Sequence, residues 1–135
     1  MAGPKGSKYF DVFLDYQIKL NSKSEKGKVD DTVIDLLIEI ESLGSLKMAA
    51  EKVGLSYRKA WGDVKDAERF LGFELVEGIR GGKDGGLSRL TADGENLVLA
   101  FKELHKEFDE AIYRITRQFF HKLNQGDLET PVKSH

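Results

Sequence analysis

The chain has 135 residues, a formal net charge of −2, 14 glycines, 2 prolines and no cysteine. This length suits one domain, and the slightly acidic balance excludes a protein that coats nucleic acid indiscriminately. The lack of cysteine excludes disulfides and thiolate metal sites, while the polar start and the interrupted apolar stretches predict neither a signal peptide nor a membrane span. We therefore expect a cytoplasmic protein with one domain at residues 9–123, a flexible N-terminus at 1–8 and a flexible tail at 124–135.

The first predicted elements are a strand, a short return strand and a helix. Apolar and polar residues alternate over residues 9–20, which predicts a half-buried strand. The return strand begins at Val29, and Asp30 or Asp31 caps a helix that ends at residues 42–44. Apolar residues recur at helical spacing along this helix, so we expect it to pack beneath the elements that follow.

Two helices joined by a sharp turn are predicted next. Ser45 can cap the first helix and Gly54 can end it in the left-handed conformation, while Ser56 can cap the second and Gly72 can end it. Alanines and valines between the two helices allow them to cross closely. Trp61 is expected in the core, because a large aromatic residue one turn into such a helix usually anchors it. The pattern is that of a helix-turn-helix.

A wing follows, defined as two predicted strands at residues 73–79 and 87–90 with the glycine-rich GGKDGG between them. Basic residues fall in short tracts of the second helix and the wing, with only Asp84 among them in those tracts, whereas acidic residues collect elsewhere, as in Glu103, Glu107, Asp109 and Glu110. The basic set is Arg58, Lys59, Arg80, Lys83 and Arg89. This asymmetry favours a site-specific DNA binder, and a scattered set of solvated charges is the alternative.

The last predicted element is a long helix at residues 92–122, which would extend roughly 45 Å. Its apolar residues recur at spacings of four and three, as in a coiled coil. This seam consists of Leu97, Phe101, Leu104, Phe108, Ala111 and Ile115. A lone helix of this length would expose them, so we predict a homodimer in which the long helices pair. The alternative is a helix that folds only onto its own domain.

Motifs for catalysis or metal binding are weak. GGKDGG matches neither phosphate-binding glycine pattern, and it lies between predicted strands rather than before a helix. His105 and Asp109 are one helical turn apart, but no third metal ligand accompanies them in the sequence. We therefore expect no enzyme activity, no metal and no cofactor.

Two runs carry a family resemblance. GSLKMAAEKVGLSYRKAWGDV and LVEGIRGGKDGGLSRLTADGENL resemble the N-terminal DNA-binding domain of the ModE-type molybdate-responsive transcription regulators, which are related to LysR-type proteins. The resemblance implies a mainly α fold with a small β component, namely a winged helix-turn-helix with a long C-terminal dimerisation helix. It also implies that the second helix enters the major groove and that the wing approaches the flanking DNA. The implied DNA-binding residues are Ser45, Ser56, Tyr57, Arg58, Lys59, Arg80, Gly82, Lys83 and Gly85.

The expected function is therefore sequence-specific binding of double-stranded DNA by a homodimeric transcription regulator at a pseudo-palindromic site. Regulators of this family carry C-terminal molybdate-binding domains. We expect none in this polypeptide, so any signal would come from a separate effector subunit. Two other functions remain open at this point: a winged-helix module that binds proteins instead of DNA, and a small oxyanion-binding protein that uses GGKDGG.

Overall fold

The computed structural model describes residues 5–6, 8–24, 26–79 and 87–125. Within these ranges the chain forms four helices and two small antiparallel sheets. The elements are, in chain order, β1 (Leu20–Asn21), β2 (Lys28–Val29), α1 (Asp31–Leu43), α2 (Leu46–Val53), α3 (Tyr57–Leu71), β3 (Val76–Gly78), β4 (Ser88–Leu90) and α4 (Ala92–Gln125). The predicted fold class is confirmed: a mainly α chain with a small β component, built as a winged helix-turn-helix with a long C-terminal helix.

The chain divides into two compact units. The helix-turn-helix unit is Gln17–Glu103, which contains α1 to α3, both sheets and the first turns of α4. The terminal unit consists of the described residues within Met1–Tyr16 and Leu104–His135. Each unit is internally packed. The candidate interface with nucleic acid lies in the helix-turn-helix unit.

Capping residues fix the ends of the three shorter helices. The Asp30, Ser45 and Ser56 side chains each accept the N–H of the third residue beyond them, at 3.1–3.2 Å. Gly54 and Gly72 end α2 and α3 with φ angles of 82° and 89°, a left-handed conformation that glycine adopts without steric penalty. The predicted caps are therefore confirmed, and they set where α2 stops and α3 begins.

The core of the helix-turn-helix unit is built on α1. Its Leu36, Leu37 and Ile40 are fully buried. Small residues of α2 and α3 join the same core: Ala49, Ala50, Ala60 and Val64. Because small side chains occupy the crossing of these helices, their axes can approach closely. This packing holds α3 by one face and leaves its opposite face to solvent.

The predicted strand at residues 9–20 is wrong except at its end. Residues 12–19, all of them described, lie outside any helix or strand, and only Leu20–Asn21 pairs with the antiparallel Lys28–Val29. A strand needs a hydrogen-bonded partner along its length, and the return strand supplies just two residues. Alternation of apolar residues was therefore an insufficient signal here.

The base of the wing is tied to the start of α4. β3 and β4 form the described part of the wing, and residues 80–86 lie outside the described residues. Just before β3, the Leu75 carbonyl accepts the Thr91 N–H at 2.9 Å. A Cβ atom at Gly94 would collide with that same carbonyl. Glycine at this position therefore lets the first turn of α4 lie against the backbone at the base of the wing.

Candidate nucleic-acid interface

The first turn of α3 presents four of the predicted DNA-binding residues together. Ser56 caps the helix, and Tyr57, Arg58 and Lys59 follow it, all with exposed side chains. Tyr57 is 51% exposed. In a helix-turn-helix the N-terminal residues of the second helix are those that reach base edges in the major groove. The placement suits that role, and the individual contacts stay predictions.

Arg58 and Lys59 have different electrostatic surroundings. Lys59 Nζ lies 3.0 Å from the Oδ1 atom of Asp63, one turn further along α3. Arg58 forms no ion pair with any residue that the structure describes. An exposed pair of this spacing contributes only about 0.3–0.5 kcal/mol, so Lys59 can exchange Asp63 for a phosphate at small cost. Arg58 has no such competitor among the described residues.

The prediction that Trp61 lies in the core is wrong. Its side chain is 47% exposed, and the Lys65 ammonium lies 5.7 Å from the centroid of its ring. The buried face of α3 is occupied instead by Ala60, Val64 and Ala67. Only small side chains fit where α2 and α3 cross, so the indole lies at the edge of that face. Trp61 therefore adds an aromatic ring to the exposed surface of α3.

Ser45 is less accessible to solvent than its predicted phosphate contact suggested. The residue is 6% exposed, and its Oγ accepts the Met48 N–H at the start of α2. This cap bond uses the oxygen as an acceptor, which leaves the hydroxyl hydrogen as the group that could reach a phosphate. The phosphate contact of Ser45 stays a prediction.

Glu68 is a candidate residue that the sequence analysis missed. Its buried Oε2 accepts the N–H groups of Leu75 and Val76 at 2.8 and 3.1 Å, and Lys65 Nζ lies 3.1 Å from its Oε1. Hydrogen bonds to an ionised acceptor are stronger than those between neutral groups. Glu68 thus joins α3 to the first residues of the wing. A carboxylate on the same helix face as Val64 was the available signal.

The predicted wing contacts cannot be placed, because Arg80, Gly82, Lys83 and Gly85 lie outside the described residues. Arg89 is described, and its Nε lies 2.7 Å from Glu77 Oε2 on the neighbouring strand. Cross-strand pairs of opposite charge stabilise a hairpin modestly. Arg89 therefore has a partner within the wing itself.

The first part of the predicted dimer seam belongs to the core of the helix-turn-helix unit. Phe101 is 3% exposed and is one of the core residues, and Leu97 packs against that core. The expectation that a single chain would expose Phe101 is therefore wrong. A part for Phe101 and Leu97 in a dimer stays a prediction.

The second part of the seam lies in the terminal unit and is more open. Phe108 is 48% exposed, and its ring stacks on that of Tyr16 with centroids 5.8 Å apart. Ile115 is also exposed, whereas Leu104 and Ala111 are partly buried. This half of α4 therefore retains an apolar surface within its own unit.

His105 and Asp109 are joined through Tyr16. The Tyr16 hydroxyl donates to Asp109 Oδ1 and lies 3.3 Å from His105 Nδ1. Among the described residues there is no group of three or more His, Cys, Asp or Glu side chains placed to hold a metal ion. In the same ranges, no helix has the length and apolar character needed to cross a bilayer.

The comparison with protein families matches residues 33–95 to the bacterial regulatory helix-turn-helix proteins of the lysR family. The matched segment begins in α1 and ends in the first turn of α4. It therefore contains the whole helix-turn-helix and the wing.

Curated relatives point to a narrower group. The chain is 33% identical over 101 residues to the molybdenum transport protein ModE of Azotobacter vinelandii, covering 75% of this chain and 37% of that protein. It is 34% identical over 89 residues to the DNA-binding transcriptional dual regulator ModE of Escherichia coli K12, covering 63% and 34%. The molybdenum-pterin-binding protein MopB of Rhodobacter capsulatus is 41% identical over 68 residues, covering 50% and 25%.

The chain thus spans roughly a third of the length of the curated relatives that it matches. Among solved structures, that of ArgP from Mycobacterium tuberculosis matches with a TM-score of 0.48 and 24% identity, covering 65% of this chain and 31% of that one. Residues 33–95 match the LysR-type helix-turn-helix family, and the chain is similar to ModE proteins over part of their length, which is consistent with a ModE-like DNA-binding domain.

Proposed function

We propose that this chain is a sequence-specific transcription regulator that binds double-stranded DNA through α3. The observation that carries the proposal is the exposed first turn of α3, where Arg58 has no ion-pair partner among the described residues. An arginine in this position can donate two hydrogen bonds to a guanine in the major groove. The capped turn between α2 and α3 supports the proposal, because it fixes the direction in which Arg58 projects.

The names of the relatives support the same function. The Escherichia coli relative is a DNA-binding transcriptional regulator and is similar to this chain over 89 residues, and the family match at residues 33–95 includes the helix-turn-helix. We extend only the DNA binding to this chain. The association of other relatives with molybdenum is stated in their names and is not part of the proposal.

Homodimer formation is the second part of the proposal. The terminal unit exposes Phe108, Ile115 and Phe119 on α4, together with Phe13 from the N-terminal segment. Soluble monomers rarely expose many large apolar side chains in one compact unit, whereas such surfaces are common where subunits meet. A symmetric dimer would present two α3 helices to half-sites roughly 34 Å apart, which predicts a pseudo-palindromic site.

A protein interaction module is the competing function, and one observation favours it. Tyr57, Trp61 and Met48 are all about half exposed in the helix-turn-helix. Tyrosine, tryptophan and methionine are enriched at protein interfaces. Arg58 beside them favours DNA, because a phosphate-rich partner compensates an unpaired cation directly.

Titration of labelled duplexes at several salt concentrations tests the proposal. Fragments that the protein selects from a random library are compared with unselected duplex of the same length. We expect tighter binding of the selected fragments and a linear fall of log affinity with log salt. Equal affinity for all duplexes would contradict the proposed sequence specificity. A protein that binds no duplex at low salt would favour the protein interaction module.

A further inference from the structure

Gly62 occupies an unusual position in α3. It is the sixth of the fifteen residues of this helix, and its φ angle is not positive. A Cβ atom built at Gly62 would meet no described residue outside the backbone of α3 itself within 4 Å. The fold therefore leaves room for a side chain at this position and does not require the backbone freedom of glycine.

The other described glycines of helices and their ends have clear structural reasons. Gly94, in α4, lies against the Leu75 carbonyl and cannot carry a side chain without a collision. Gly44, Gly54 and Gly72 end helices with positive φ angles. Glycine inside a helix is unfavourable relative to alanine, because it loses more backbone freedom on folding. At Gly62 neither a close contact with a described residue nor a positive φ angle compensates this loss.

The face of α3 on which Gly62 lies carries more cations than carboxylates. Arg58 comes four residues before Gly62, and Lys65 and Arg69 come three and seven residues after it, so these positions share one face, and Asp66, four residues after Gly62, is the carboxylate among them. Lys65 and Arg69 have carboxylate partners on α3, at Glu68 and Asp66. Arg58 has none among the described residues. The cationic side chains thus surround a position that has no side chain of its own.

We propose that Gly62 allows the backbone of α3 to approach DNA closely in the major groove, which makes it an affinity-determining position. The inference rests on the proposed function. The positive charge around Gly62 favours DNA as the partner that approaches it, because DNA carries dense negative charge. A second copy of the same face would be repelled, because it carries the same charge. Glycine commonly marks a place where the backbone meets a ligand at short distance.

The test compares the stability and the DNA affinity of the Gly62→Ala variant. Because alanine is the better helix former and meets no close neighbour among the described residues, the melting temperature should rise by roughly 4 °C. DNA affinity should fall by at least about tenfold, because the methyl group occupies the space of the approaching DNA. Gly62→Leu should weaken binding further. The probe is a labelled duplex of roughly 25 base pairs that the wild-type protein selects from a random library.

Asn96→Ala is the matched control. Asn96 is exposed on α4 and uncharged, so this change also introduces alanine into a helix without altering the net charge. We expect a small gain in stability and unchanged DNA affinity. The inference is supported if Gly62→Ala raises the melting temperature and lowers DNA affinity, while Asn96→Ala leaves DNA affinity unchanged.

The other outcomes overturn it. Wild-type protein that binds no duplex would overturn the proposed function, and the inference with it. Wild-type protein that binds while Gly62→Ala binds equally well would overturn the inference and leave the proposed function standing. A variant that changes self-association in sedimentation but not DNA affinity would assign this face to a second copy of the chain. A lower melting temperature would mean that the domain itself requires glycine there.

Discussion

Glu68 accepts the backbone N–H of Leu75 at 2.8 Å and so connects α3 directly to the start of the wing. Glu68 lies four residues beyond Val64 on the buried face of α3, and Leu75 is fully buried. A hydrogen bond between these two residues fixes the position of β3 relative to α3. The placement of β3 against α3 therefore depends in part on one carboxylate.

Replacement of Glu68 by alanine should destabilise the helix-turn-helix unit by about 3 kcal/mol, because the N–H groups of Leu75 and Val76 lose their acceptor in a buried or partly buried place. Glu68→Gln retains an amide oxygen as an acceptor and should cost about 1 kcal/mol. Urea denaturation followed by circular dichroism measures both. Equal losses for the two variants would mean that the charge, and not the acceptor, is what matters.

Arg58→Ala should lower the affinity for the selected duplex by about 1–3 kcal/mol and relax the preference at one base pair of each half-site. The loss follows from removal of a base contact by a side chain that has no ion-pair partner among the described residues. Binding assays on a set of single-base variants of the duplex measure this. If the preference is unchanged while the affinity falls, Arg58 contacts phosphate instead.

Asp63→Asn should strengthen binding to all duplexes and steepen the salt dependence by about one unit. The reason is the ion pair between Lys59 and Asp63, which competes with a phosphate for the ammonium group. The same titration series measures it, with Glu103→Gln as a control that makes the same change of net charge at an exposed position of α4. An unchanged salt slope would show that Lys59 keeps away from the DNA backbone.

Trp61→Ala should reduce DNA affinity by about tenfold while costing only about 1 kcal/mol of stability, because the indole is nearly half exposed and only partly packed. Leu37→Ala is the contrasting core variant, and it should cost about 2–5 kcal/mol. Thermal unfolding and duplex titration measure the two effects. A Trp61→Ala protein that fails to fold would show that the domain needs Trp61 for its stability.

Phe108→Glu should prevent dimer formation, because a symmetric interface would bury two unpaired carboxylates. Sedimentation at micromolar concentration measures the mass, and circular dichroism checks that α4 remains helical. Glu107→Gln, at the neighbouring exposed position, serves as the control. A wild-type protein with the mass of one chain would refute the dimer. A fully dimeric Phe108→Glu protein would show that the interface lies on another surface.

Helix ends were predictable because single residues mark them. Asp30, Ser45 and Ser56 cap helices through bonds to backbone three residues away, and Gly54 and Gly72 end them, so local chemistry was sufficient. The exposed first turn of α3 followed from the same caps. These features made the helix-turn-helix recognisable before any tertiary contact was known.

Features that depend on distant contacts were not predictable in this way. Trp61 lies at the edge of the α2–α3 crossing, and the space available there depends on the alanines of both helices. Residues 12–19 alternate like a strand but lack a paired strand, which only the tertiary structure reveals. Phe101 follows a coiled-coil spacing and yet packs into the core of its own unit, because periodicity alone does not identify the partner.

Both backbone polar groups of Leu75 form hydrogen bonds, one to α3 and the other to the residue before α4. Its N–H is bonded to Glu68 of α3, and its C=O is bonded to Thr91 just before α4. The Thr91 hydroxyl adds a bond to the carbonyl of Glu74 at 2.7 Å. A tilt of the first turn of α4 must therefore break these bonds or drag the start of β3 with it, and Glu68 transfers that displacement to α3. The backbone at residues 74–76 would thus convert a tilt of the first turn of α4 into a displacement of the surface proposed to read DNA.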